Sequence, residues 1–312
     1  SSGGGHMKRR SMQSGVALLV VLWACTLLAI LAGGYASLAH VESEQARYTL
    51  AMMRARYAAE AGVMRGIHDV YAGRKAGLVP GPEQTTRWMG DGQPWSFKVD
   101  GARVTVTVED EAGKIDLNAA DPAILMSLFM AAGANQARAR RLADDVVIWR
   151  TTTATPDADA IKRYESAGRP YAPRQARFPS VEELQSVLGM DAALFAKVEP
   201  ALTLWSGLDT PVPYYAPVNV LSALPNMPAD IAKAYVNERS RMPIGTLVTL
   251  PGNLPGGWTP GSAVVTIEST GVVTENISVT LRVTVRYDQL NSSFDPRLPL
   301  FTILRWRNMP RA

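Results

Sequence analysis

The chain has 312 residues, a net charge of +4 from 32 Lys and Arg against 28 Asp and Glu, and a single cysteine. That length suits one large or two modest domains. The small positive excess gathers in an N-terminal leader and near the C-terminus (Arg305, Arg307, Arg311), which excludes a broad nucleic-acid surface, and one cysteine excludes disulfides.

Ser1 to His6 read as a tag remnant, with Met7 as the natural start. Lys8-Arg9-Arg10-Ser11-Met12-Gln13-Ser14-Gly15 then forms a basic leader, and Val16 to Leu38 is an apolar run without charge. About 23 residues at about 1.5 Å each cross a hydrocarbon core of about 30 Å. The positive residues lie on one side only. This places the N-terminus in the cytoplasm and everything after residue 40 across the membrane. A secretory signal would be shorter and cleaved after its apolar core. Here the processing point falls before the run. A single-span anchor that is never cleaved fits the same composition. Cys25 lies within the run and reads as membrane packing.

Helix-forming residues without proline continue from Val41 to Asp69. One helix from Val16 to about Asp69 is predicted, weakest at Gly33-Gly34. Leu50, Met53, Tyr57, Ala61 and Met64 recur at helical steps and form the face expected to meet a sheet. Met52, Ala55, Ala58, Ala59 and Val63 form a second flank of mostly small side chains. That flank is the predicted partner contact, because small residues let helices approach closely. His40 and His68 have no second ligand at metal spacing, so zinc is disfavoured. No phosphate-binding loop or nucleophile turn is present, and no enzyme is predicted.

Ala72 to Pro94 reads as a loop. Trp95, Phe97 and Val99 then alternate with polar residues, as do Val104, Val106 and Val108, around Asp100-Gly101, a strong hairpin signal. A second hairpin pairs Val264 to Val273 with Ile277 to Tyr287 across Thr274-Glu275-Asn276, and a last strand is predicted over Leu300 to Trp306. Between the strand regions the sequence is helical. Asn118, Asp121 and Pro122 open a helix to Met130. Gln136 to Trp149 follows, its arginines and Asp144-Asp145 forming a solvated face. Ser180-Val181-Glu182-Glu183-Leu184 reads as a capping box ending at Gly189. Asp191 to Val198 and Pro228 to Ser240 are shorter helices, and Ser206 to Pro217 and Pro251 to Gly261 are loops. The predicted class is α+β: a long transmembrane helix packed on an antiparallel sheet, with a large α-helical domain inserted between strands. The divisions are residues 1–15 (tag and leader), 16–40 (membrane), 41–117 (first α+β part), 118–255 (insertion) and 256–312 (remaining strands).

The leader resembles that of type IV prepilins. This resemblance implies a pilin-like fold, cleavage by prepilin peptidase between Gly15 and Val16, and methylation of Val16. Most such proteins carry Glu at the fifth mature position, where this chain has Val20. The order of segments is similar to the minor pseudopilin K family of type II secretion (GspK), which lacks that Glu. Local similarities are Val16-Ala17-Leu18-Leu19, Ala59-Glu60-Ala61-Gly62, Glu109-Asp110-Glu111-Ala112-Gly113-Lys114-Ile115-Asp116-Leu117-Asn118, and Ser180 to Leu184 with Val187 and Gly189. The resemblance implies a structural subunit at the tip of the type II secretion pseudopilus, anchored in the inner membrane with its bulk in the periplasm. Its implied partners are the I- and J-type minor pseudopilins, docking helix against helix through the Leu50-Met53-Tyr57 side and its neighbours. It also implies calcium in the insertion, but Thr151 and Thr153 stand where carboxylates are usual, and Val218-Asn219-Val220-Leu221 matches only partly. Asp157 and Asp159, or Glu165 and Glu183, are weak substitutes for a ligand set of six to eight oxygens. A DNA-uptake protein binding nucleic acid through Glu183 to Gly189 is the alternative, although that hairpin is neither basic nor glycine-rich.

Overall fold

The computed structural model describes residues 13–75, 90–155, 157–225, 227–241, 261–289, 295 and 297–310, with side chains described from Val16. The chain divides into two compact units, Ser1–Arg54 and Ala55–Ala312. Helix α1, Gln13–Lys75, begins in the first unit and ends in the second, and it is continuous through Gly33-Gly34. Its last turn occupies Ala72 to Lys75, where a loop was predicted.

The second unit holds an antiparallel five-stranded sheet and a helical bundle. Strands β1 (Trp95–Val99), β2 (Ala102–Asp110), β5 (Val264–Thr274), β6 (Ile277–Tyr287) and β7 (Phe301–Met309) lie in the order β1-β2-β5-β6-β7. The first hairpin closes as its sequence requires: Val99 pairs with Ala102, and Asp100 and Gly101 take φ of 46° and 78°. Thr274 pairs with Ile277 across the second turn. The last strand reaches Met309, beyond the predicted Trp306.

Alternation puts Val104, Val106, Ile267, Leu281, Val283 and Val285 on one buried face. Against them lie Ala58, Ala59, Val63, Ile67 and Val70 of α1. This reverses the predicted faces. Leu50, Met53, Tyr57 and Met64 are 52%, 52%, 68% and 49% exposed, whereas Ala55, Ala58, Ala59 and Val63 are 3% exposed or less. The partner-binding assignment of Ala55, Ala58, Ala59 and Val63 is therefore corrected, because their surface is already covered by the protein's own sheet. The reason is distance. A Cβ added at Gly271, in the middle of β5, would lie 2.2 Å from the Ala55 carbonyl oxygen, and one at Gly62 would lie 2.1 Å from Ser269 Oγ. At that separation only small side chains fit between helix and sheet.

The bundle has its own core, which includes Leu117, Leu125, Phe129, Leu142, Trp149 and Leu184. Its elements are α2 (Pro122–Ala131), α3 (Gln136–Arg150), α4 (Ala158–Ser166), α5 (Ala192–Val198), α6 (Val218–Leu221) and α7 (Ala229–Arg241). A parallel pair of short strands, β3 (Ile115–Asp116) and β4 (Leu202–Thr203), joins the two ends of the segment carrying α2 to α5. Asp121 caps α2, with its Oδ1 accepting from Ala123 N at 2.7 Å. Asn118, predicted to cap it, is occupied elsewhere: its amide accepts from Phe178 N at 2.7 Å and donates to Phe178 O at 3.1 Å. Ser180 makes no capping bond, and Val181–Ser186 is a 3-10 helix. The carboxylate that would complete the box, Glu183, instead accepts from Trp149 Nε1 at 2.9 Å and pairs with Arg174. The α3 face is only partly solvated, because Asp145 is 4% exposed and bonded to Arg163 at 2.7 Å. Most of the predicted Pro251 to Gly261 loop, and the end of the predicted insertion, lie outside the described residues.

Candidate functional site: the exposed helix and the acidic hub

Every residue from 16 to 50 is exposed. The apolar run therefore presents hydrophobic surface all round, with Leu18, Leu22 and Ile30 at 73%, 64% and 72%. A helix apolar on all sides needs an apolar surrounding. Among the described residues one helix is long and apolar enough to cross a membrane. Thr26, the polar residue near its middle, donates to the Trp23 carbonyl at 2.7 Å and so leaves no open donor. At the predicted processing point the backbone of Gly15 and Val16 is helical, and Val16 is 65% exposed. Val20 is 59% exposed within the same surface.

The segment Glu109 to Asn118 forms the polar centre of the second unit. Asp110, at the end of β2, is 1% exposed. It pairs with Arg74 of α1 at 2.5 Å, accepts from Ser262 N at 3.0 Å and from Ser262 Oγ at 2.8 Å, and caps Glu111–Gly113 through Ala112 N at 2.8 Å. Burial raises its pKa and outweighs the pull of Arg74 and these donors. Glu111, also 1% exposed, accepts from Lys114 Nζ at 2.9 Å and Thr266 Oγ1 at 2.6 Å, and from Thr203 Oγ1. One carboxylate thus binds sheet strand β5 to the clasp strand β4. For Lys114, burial works against the charge, but Glu111 and Glu109 overcome it and raise the pKa. Around Glu109 burial also opposes ionisation, yet Lys114 at 2.9 Å and Arg282 at 3.4 Å prevail and lower its pKa.

The rest of the segment continues the pattern. Asp116 accepts from Asn118 N at 2.8 Å and from Gly207 N at 2.8 Å. Gly113 is required, since a Cβ there would sit 2.4 Å from the Tyr215 carbonyl oxygen. These carboxylates are all spent on holding segments together, which leaves the hub a structural role. Sequence reasoning marked this stretch by resemblance but did not foresee its bonds. It missed Arg239 of α7 entirely. That side chain is 6% exposed and donates through Nη1 to the carbonyls of Pro213, Tyr214 and Ala216. Nothing local in the sequence signals those acceptors.

Three of the residues weighed for calcium make bonds within the protein. Thr151 Oγ1 donates to the Val147 carbonyl at 2.6 Å. Asp157 caps α4 by accepting from Asp159 N and Ala160 N. Glu183 is taken by Trp149 and Arg174. Among the described residues no three His, Cys, Asp or Glu side chains are grouped to hold a metal ion.

Residues 106–207, which contain the hub and most of the bundle, match the family model described as type II secretion system (T2SS), protein K. That segment is similar to the protein K family. The type II secretion system protein K of Pectobacterium carotovorum subsp. carotovorum is 27% identical over 278 residues, covering 77% of this chain and 80% of that relative. A chain in the crystal structure of the GspK-GspI-GspJ complex from the enterotoxigenic Escherichia coli type 2 secretion system shares the fold, with a TM-score of 0.53 at 16% identity, over 86% of this chain and 99% of that one. The matched segment begins within β2 and ends just after β4, so its bounds enclose the hub and the parallel clasp.

Proposed function

We propose that the chain is a minor pseudopilin of a type II secretion system, a structural subunit seated at the pseudopilus tip and taking part in protein export across the outer membrane. The observation that carries this reading is the union of a segment similar to the protein K family with an N-terminal helix apolar and exposed along its first half. Such a helix is retained for assembly in a membrane and then in a filament, with its N-terminus cytoplasmic and its bulk periplasmic. Two features favour the tip. Val20 supplies no carboxylate for a neighbour's free amine, and an insertion between strands would obstruct stacking of repeated copies. By analogy with the E. coli GspK-GspI-GspJ complex, the partners are the I- and J-type minor pseudopilins. The docking side moves from the buried alanines to the exposed side marked by Tyr57 and Met64. The nucleic-acid alternative is not favoured. The Gly189 carbonyl of the candidate hairpin is occupied by Arg138, and the hairpin carries the Asp191 carboxylate beside it.

Co-expression with prepilin peptidase tests the assignment by intact mass. Cleavage between Gly15 and Val16 is expected, and Gly15→Val should leave an uncleaved precursor in membranes. A mature mass beginning after Leu38 would refute the pseudopilin reading.

A further inference from the structure

The bundle carries an open cleft that the pseudopilin reading leaves unused. It has a volume of about 710 Å³ and lies between α3, α4 and the Leu188-Gly189 turn. Four cations line it, Arg138, Arg141, Lys162 and Arg163, against one carboxylate, Asp145. On α3, Arg138, Arg141, Leu142 and Asp145 follow one another at steps of three, one and three, so they share a helix face. Two of the cations are held in place from within. Arg138 is fixed by Asp191 at 2.5 Å and by the Gly189 carbonyl, and Arg163 by Asp145 at 2.7 Å. Arg141 and Lys162 are exposed and make no ion pair among the described residues. The lining is not uniformly charged. Leu188 is half-buried, and Leu142 packs beneath it in the core.

We propose that this cleft binds an acidic segment of a partner protein, one that presents an apolar side chain between carboxylates. The charge sets the sign of the partner, since anchored guanidinium groups offer donors in fixed geometry to carboxylate oxygens. The apolar lining sets its kind. A run of phosphates would satisfy the cations but leave Leu188 wet, whereas a leucine-like side chain covers it. The concave shape fits a protruding peptide better than a flat lipid surface. The two exposed cations, Arg141 and Lys162, supply the attraction. The inner pairs Arg138–Asp191 and Arg163–Asp145 hold the walls.

The probe is a fluorescein-labelled peptide, Asp-Glu-Leu-Leu-Glu-Asp, titrated onto the full chain in neutral detergent and followed by anisotropy. Saturable binding that weakens with added salt is expected. Arg141→Glu with Lys162→Glu should weaken it by about tenfold, the worth of two exposed ion pairs. Lys233→Glu, an equal change of charge per site on α7 outside the cleft, should leave it unchanged. A probe with Ser in place of both Leu should bind more weakly than the parent. Each variant is checked for an unshifted melting curve, which exposed sites on intact helices should give. Absence of binding, or equal loss in Lys233→Glu, overturns the proposal. So does equal binding of the Ser probe, or displacement of the peptide by heparin at matched charge, since either would make the cleft a general polyanion site.

Discussion

Gly271→Ala is the most severe single methyl addition that the helix–sheet contact allows. The new Cβ would lie 2.2 Å from the Ala55 carbonyl oxygen, 2.8 Å from Ala59 N and 3.2 Å from the Ala55 carbonyl carbon. All three are backbone atoms, so no side chain can rotate away. Restoring ordinary contact near 3.4 Å requires a separation of about 1.2 Å between β5 and α1 at that point. A gap of 0.5–1 Å already forfeits about a quarter to a half of each dispersion contact, and the loss extends to Ala58, Ala59 and Val63. Overpacking usually costs about 1–3 kcal/mol. With an unyielding backbone on one side, about 3 kcal/mol is expected here. That corresponds to a fall in Tm of about 6–12 °C for a unit of this size. Hydrogen exchange localises the effect: amides of β2, β5 and β6 should lose protection by about a hundredfold, while those of α3 should not change. A variant that melts within about 1 °C of the parent with full protection in β5 would refute the close approach of helix and sheet.

Gly62→Ala meets side chains instead, Ser269 Oγ at 2.1 Å and Val104 Cγ1 at 2.7 Å, so a smaller cost of about 1–2 kcal/mol is expected by urea denaturation. Ser269→Ala removes a buried hydroxyl that has no hydrogen-bond partner among the described residues, and should be neutral or stabilising alone and reduce the Gly62→Ala penalty in the double variant. Ala59→Glu would bury a carboxylate at a site of 0% exposure and should unfold the sheet half, detected as protease sensitivity, instead of removing partner binding from a folded protein. For Glu109 the lowered pKa means that its ionised form stabilises the fold above the ordinary value of 4.5 and that this contribution disappears as pH falls. Glu109→Gln should therefore be less stable than the parent at neutral pH, with the two melting curves converging in acid; a constant difference at all pH values would count against the Lys114 and Arg282 pairing.

Much of the sheet was legible because its signals are local. Asp100-Gly101 demands positive φ, and strict alternation from Ile277 to Tyr287 leaves a single register for a half-buried strand. The helix faces were misread because hydrophobicity was weighed by side-chain size. Leu50, Met53 and Tyr57 outrank alanine on any transfer scale, yet the burial went to Ala55, Ala58, Ala59 and Gly62. The overlooked signal was a glycine within an alternating strand. Gly271 marks a close approach of another backbone, and a helix meeting it needs a small-residue stripe. The capping box failed for another reason. Glu183 had a distant partner, Trp149, that no local pattern reveals. Asn118 was likewise drawn to Phe178, sixty positions away. Local rules name the residues able to make such bonds, and the tertiary fold decides which acceptor each one meets.

The parallel pairing of Ile115 with Leu202 and Asp116 with Thr203 makes a neck through which four helices leave and return. Because the two ends of that excursion are hydrogen-bonded neighbours, the rest of the unit meets the same pair of strand ends whatever lies between them. Doubling the length of a flexible excursion costs only about 0.6 kcal/mol of closure entropy. The head can thus be enlarged, trimmed or resurfaced over evolutionary time while the shaft-bearing part keeps its register, and natural variation in size should concentrate above the neck.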